Sequence, residues 1–227
     1  MSWEDVLKKP PVWDIPLPKE KFFTLSQDEK INRNMEYSGR GASWKPSGLW
    51  FSMTDKYNWI DWLKNNEPLW EYQYQYLITF DISGNILRIR NEEDMKELME
   101  EYTVEIHPGT SDSLDWGRLM EEYDAAIFEY HGISWKDRNL RWEKDGKSLT
   151  PLARQSWLES LDVDSGVVWN LDSITNEKVY AQRKIKRGHK RTAARKFKHG
   201  SDWSNYMGRQ REAMNIAGKS FGDWVII

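Results

Sequence analysis

Residues 74–90, YQYLITFDISGNILRIR, commit this chain to a sheet. Leu77, Thr79 and Asp81 alternate with Ile78, Phe80 and Ile82, and the alternation resumes from Ile86 to Arg90. A two-residue period sends successive side chains to opposite faces of an extended strand, which is not the stripe a helix needs. Ser83-Gly84-Asn85 between the runs is turn chemistry, so the stretch predicts an antiparallel hairpin.

Helical patterns surround that run. Trp59, Trp62 and Leu63 in YNWIDWL fall at i, i+3 and i+4, the spacing of one buried helix face. NEEDMKELMEEY opens on Asn91 and acidic residues and turns Met95, Leu98, Met99 and Tyr102 inward, and SLDWGRLMEEY repeats the pattern more briefly. Further strands are expected at NMEYSG, at GLWFSM behind the turn KPSG, at DAAIFEYHGI and at SGVVWNLDSI. There is no internal repeat. Together these elements predict an α+β core domain over residues 33–177.

The flanks read differently. Residues 1–32 look like an arm: Pro10, Pro11, Pro16 and Pro18 forbid a regular helix or a central strand there. Ser2 is placed to cap a short helix carrying Trp3, Val6 and Leu7. Residues 178–227 hold 13 Lys and Arg against 3 Asp and Glu, so this extension carries +10 and residues 1–177 carry −13 of the chain's net −3. Within 178–198 there are ten Lys and Arg and no acid. A run of this kind, expected here as a basic helical extension, fits a polyanionic partner, because Lys and Arg displace counterions from phosphates. Arg183, Lys184, Lys186, Arg187, Lys190, Arg191, Arg195, Lys196 and Lys198 are the expected contacts to nucleic acid. An acidic protein surface, that of the body included, is the competing partner.

Several chemistries are excluded or unsupported. With no cysteine, disulfides, thiolate metal sites and cysteine nucleophiles are impossible. No GxxxxGK[ST], GxGxxG, HExxH or GxSxG motif occurs, and the four histidines sit at no metal-ligand spacing, so no metal site is expected. No apolar run approaches a membrane span, and MSWEDVLKKPP has no secretory character, so an intracellular setting and no membrane contact are expected.

Two places invite chemistry. Trp50 and Ser52 follow Gly48 on one expected strand face, with Leu49 and Phe51 on the other. A hydroxyl beside a large indole suits the wall of a cleft. Glu129 sits in an apolar strand with Ile127 on its face and Ala126, Phe128 and Tyr130 on the opposite one. A carboxylate there needs a partner or a cleft edge, where partial burial suits it to hold ribose hydroxyls or act as a base. A salt bridge to Arg40 or Arg88 is the equally open structural account. Trp59 and Trp62 are read as core.

In order, KPSGLWFS, W-x-x-W-L, ILRI, LDWGRLMEEYDAAIFEY and SGVVWN resemble an uncharacterised family of phage and large-DNA-virus proteins over residues 35–172. Its pattern is K-P-x-G-L-W-x-S … W-x-x-W … Y-D-G-I … S-G-x-x-W-N. More distantly, the layout resembles the ADP-ribosyltransferase fold, which implies a split mixed or antiparallel sheet with flanking helices and NAD in its cleft. That resemblance implies Tyr37, Arg40, Trp50 and Ser52 near the cofactor and Glu129 as the catalytic acid. It implies transfer of ADP-ribose from NAD to a nucleic-acid or protein target. The non-enzymatic alternative is a viral structural or host-takeover protein docking partners through its arm and basic extension.

Overall fold

The computed structural model describes residues 17–19, 21–35, 37, 46–66, 74–105, 112–129, 143–144, 147–148, 161, 163–186 and 220–227. These build a mixed α+β fold dominated by one eight-stranded sheet. Its strands are β1 (Phe22–Ser26), β2 (Leu49–Met53), β3 (Tyr76–Ile82), β4 (Ile86–Ile89), β7 (Ala125–Phe128), β10 (Ser165–Val168), β11 (Ile174–Lys186) and β12 (Ser220–Ile226). Their spatial order is β12-β11-β3-β1-β2-β10-β7-β4. Every pairing is antiparallel except β4 with β7. Two small ribbons, β5 (Thr103–Glu105) with β6 (Asp112–Leu114) and β8 (Glu143–Lys144) with β9 (Lys147–Ser148), stand apart from it.

Chain connectivity shows that this sheet is not flat. β3 and β4 lie five positions apart in the order, which is about 24 Å across a flat sheet. Ile82 and Ile86 are four residues apart, so the chain between them spans at most about 14 Å. The sheet therefore folds back on itself, and its shortest ladder is the one between β1 and β2. β1 joins β2 through two residue pairs, Phe22 with Met53 and Phe23 with Ser52, but joins β3 through five.

The fold-back encloses an apolar cluster fed from both halves of the sheet. Phe51 and Met53 of β2, Ile78 and Phe80 of β3, Ala125 and Ile127 of β7 and Val168 of β10 are all buried in it. Phe51 packs edge-on against Phe22 and Phe80, with ring centroids 4.9 and 5.7 Å away. Gly166 permits that packing, because a Cβ there would sit 2.2 Å from the Phe51 ring and 2.6 Å from the Ala126 carbonyl oxygen.

The other face carries the helices. α2 (Glu92–Tyr102) and α3 (Trp116–Glu122) cover a cluster of Met95, Leu98, Met99, Tyr102, Trp116 and Leu119 with Ala126, Phe128 and Val167 from the strands. α1 (Trp59–Asn65) covers Phe23, Leu25, Leu77 and Ala181 with Ile60 and Leu63, while Trp59 and Trp62 are half-buried at its flank. Asn58 caps α1 by accepting from the Ile60 and Asp61 amides, which satisfies donors a helix start otherwise leaves orphaned.

Two expectations are corrected, and two more fall partly outside the described residues. Residues 74–90 do form two strands, but they are not paired with one another: β3 lies between β1 and β11, and β4 is an edge strand on β7. Phe22–Ser26, assigned to the arm, is a central strand; the prolines end before it and leave its five residues free to bond on both sides. Among the described residues of 178–227 there is strand and no helix, so β11 runs through the expected boundary at 177. NMEYSG forms no strand over its described residues, 34, 35 and 37.

Candidate functional site

The strand after Gly48 forms as expected, yet its polar groups are used internally. Ser52 is 0% exposed. Its hydroxyl donates to the Asp164 carbonyl oxygen at 3.0 Å and accepts from the Trp59 amide at 3.2 Å. One small side chain thus joins β2, the entry to β10 and the first turn of α1. The Trp50 indole donates to the Pro46 carbonyl oxygen at 3.2 Å, pinning the KPSG turn, and its ring packs against the α2–α3 cluster.

Glu129 follows β7 at the sheet end, and its amide still bonds the Ile89 carbonyl oxygen at 2.9 Å. Its carboxylate lies 3.5 Å from the Lys56 ammonium, in the loop that leaves β2. The ion-pair account of Glu129 is therefore the one with geometry behind it. The partner is Lys56 and not Arg88 of β4.

Register decides which of these groups meet. Trp50 stands across from Val167 and Val167 from Ala126; Ser52 stands across from Ser165 and Ser165 from Phe128. Directly opposed residues share a face, so Trp50 and Ser52 point with Ala126 and Phe128. Ile127 points into the fold-back cluster, and strand alternation sends Glu129 the same way. Tyr37 also packs on that side, with its hydroxyl donating to the Met35 sulfur at 3.8 Å, and burial raises its pKa. Trp50 and Ser52 on one face, and Tyr37 and Glu129 towards the other, do not converge on one pocket. Arg40 lies outside the described residues.

The motif residues have another task, which the sequence alone does not show. Asp124 of the Y-D element accepts from the Asn85 amide through Oδ2 and from the Asn170 side-chain amide through Oδ1, each at 2.7 Å. Its carbonyl oxygen accepts from the Trp169 and Asn170 amides at 2.9 and 3.1 Å. Asp124 thereby holds the W-N element and the β3–β4 turn together at the fold-back. Gly84 completes this clasp: its φ is +104°, and a Cβ would sit 2.2 Å from Asp124 Oδ2. The turn chemistry at 83–85 was visible in the sequence; the carboxylate reaching it from residue 124 was not.

The basic run begins in the sheet. Lys178 is exposed on β11. Arg183, expected at phosphate, is 3% exposed, and its guanidinium lies over the Trp224 ring of β12 at 5.4 Å. Such a buried cation over an indole serves packing, so Arg183 is removed from the phosphate-contacting set. The backbone of Lys184 and Lys186 continues β11, while Arg187, Lys190, Arg191, Arg195, Lys196 and Lys198 lie outside the described residues.

Among the described residues, no group of three or more His, Cys, Asp and Glu could hold a metal ion, and no helix is long and apolar enough to cross a membrane. No protein-family model, no curated protein and no solved structure matches the chain.

Proposed function

We propose that this protein binds nucleic acid through the basic segment 178–198 and that the folded sheet serves as its mount. The observation that carries the reading is the position of the run. Ten Lys and Arg without one acid begin within β11, a 13-residue strand of the main sheet, so the start of the run belongs to the folded body. Phosphate neutralisation supplies sequence-independent affinity, and its signature is a steep loss of binding with salt.

The test is a titration of a labelled oligonucleotide between about 50 and 200 mM salt. Each phosphate neutralised adds about 0.7 to 0.9 to the slope of log K against log salt, so Lys190, Arg191, Arg195 and Lys196 changed together to Ser should lower it by about 3. A flat salt dependence in the unaltered protein would sink the reading and leave an acidic protein surface as the partner of the run.

NAD-dependent transfer of ADP-ribose is the second reading. The fold-back of the sheet is the observation in its favour, and the opposed faces of Trp50 and Glu129 count against it. Label transfer from NAD to lysate components, lost in Glu129→Gln, supports it; transfer unaffected by that change removes Glu129 from the role.

A further inference from the structure

One part of β11 departs from the simple alternation of a strand. Lys178 stands across from Thr79, Val179 from Ile78 and Ala181 from Leu77, so Tyr180 is an extra residue at a bulge. In a regular strand Lys178 and Ala181 would point to opposite faces. The bulge brings both to the face of Phe23 and Leu77, because directly opposed residues share a face. Tyr180 packs against the cluster on that same side. Arg183 and its cross-strand neighbour Trp224 continue the row, and Ile226 joins it across from Ala181.

Charge and aromatic surface meet there. Lys178 is exposed, Tyr180 and Trp224 are half-buried, and Ile226 is 47% exposed. Trp62 of α1, also half-buried, borders the same apolar cluster. The Arg183 guanidinium lies over one face of the Trp224 ring at 5.4 Å, so the part of the indole that meets water lies away from it. Asp81 shares the face, with its carboxylate engaged by the Lys21 ammonium and the Asn176 side-chain amide.

We infer that Tyr180 and Trp224 form a stacking surface for unpaired bases, so that the nucleic acid this protein takes is single-stranded. This rests on the nucleic-acid reading above and names its ligand class. In a duplex the flat faces of the bases are hidden against one another. Side-chain rings reach those faces in a single strand, where stacking adds affinity without regard to sequence. A bulge re-aims a side chain. Here it sets Tyr180 on the side of Trp224, beside the first cation of the basic run, and so puts phosphate and base recognition on one face.

The experiment uses the full chain and two labelled strands of equal length: oligothymidylate and a matched strand whose sugars carry no base. Both present the same phosphates. The unaltered protein should bind oligothymidylate at least about fivefold more tightly than the abasic strand at fixed salt, with the same salt slope for both. Tyr180→Leu, which keeps apolar bulk against the cluster, should weaken oligothymidylate about fivefold and leave the abasic strand unchanged. Tyr180→Phe keeps a ring and should keep the affinity. Trp224→Leu should act in the direction of Tyr180→Leu, and the comparison of strands in the unaltered protein needs no variant to fold. Equal affinity for the two strands overturns the inference and leaves the nucleic-acid reading standing on its salt slope. An equal fall for both strands in Tyr180→Leu also overturns it, since Tyr180 would then serve the fold alone. A flat salt dependence with both strands fails the nucleic-acid reading itself, and the inference with it.

Discussion

Gly84 and Ser52 show how single side chains hold the fold-back in place. Gly84→Ala would put a methyl group on Asp124 Oδ2 at a backbone angle that suits glycine. The expected cost is about 1–3 kcal/mol of unfolding free energy, read by denaturant titration. Ser52→Ala removes a hydroxyl that both donates and accepts inside the core. It leaves the Trp59 amide and the Asp164 carbonyl oxygen short of a partner, so about 1–3 kcal/mol should be lost. A variant as stable as the parent would mean that Ser52 does not clasp β2 to α1. At this scale the sequence showed which residues were unusual but not what they touch. Ser52 is read from the sequence as the wall of a cleft, whereas it is fully buried and its hydroxyl bonds a carbonyl oxygen 112 residues away. Glu129 was open between a cleft-edge acid and an ion pair with Arg40 or Arg88, and Lys56 became its neighbour only through the ordering of β2, β10 and β7.

Among elements, the locally determined ones were the most legible. α2 buries Met95, Leu98, Met99 and Tyr102, as its period requires, and Asn91 caps it through the Asp94 amide. α1 depends more on its cap, because a helix of seven residues has little propensity to form alone. Asn58→Ala should therefore cost about 1 kcal/mol, seen as a lowered thermal midpoint, and Asn58→Asp should not recover it, because the Asn58 side-chain amide also donates to Asp61 Oδ2 at 2.9 Å and to the Lys56 carbonyl oxygen at 3.0 Å. Strand existence was legible for β2, β3, β4, β7 and β10, whereas strand partners were not. Turn residues at 83–85 serve equally well for a hairpin and for a corner between two halves of a sheet. β1 was obscured by the prolines before it. β11 was obscured by its charge, although it pairs on both sides, with β12 and β3.

For the molecule as a whole, several surface carboxylates tie separate parts of the fold together and set its response to acid. Hydrogen bonds from the Lys21 ammonium and the Asn176 amide hold Asp81 below the ordinary 3.8. A hydrogen bond from Arg90 lowers Asp94, and hydrogen bonds from the Tyr102 hydroxyl and Arg118 lower Glu122. A depressed folded pKa means stability that is fully present above the unfolded value and lost as pH falls through the folded one. The thermal midpoint should then stay level between about pH 6 and 5 and fall below about pH 4. Asp81→Asn, which joins β3 less firmly to β1 and β11, should have a lower midpoint near neutrality and a shallower acid slope. An acid slope equal to the parent's would show that Asp81 carries none of this linkage.

The weak β1–β2 junction also has a kinetic consequence. β2 is held by two pairs on one side, and its other neighbour, β10, begins only at residue 165. Until that segment is made, residues 49–53 have no complete ladder, and the faces of Phe51 and Met53 stay open to water. Long-range closure of this kind is slow, because the entropy of bringing distant segments together is lost before their contacts form. A nascent chain of this protein should therefore remain susceptible to protease in its first half until β10 has emerged, and then become resistant in one step.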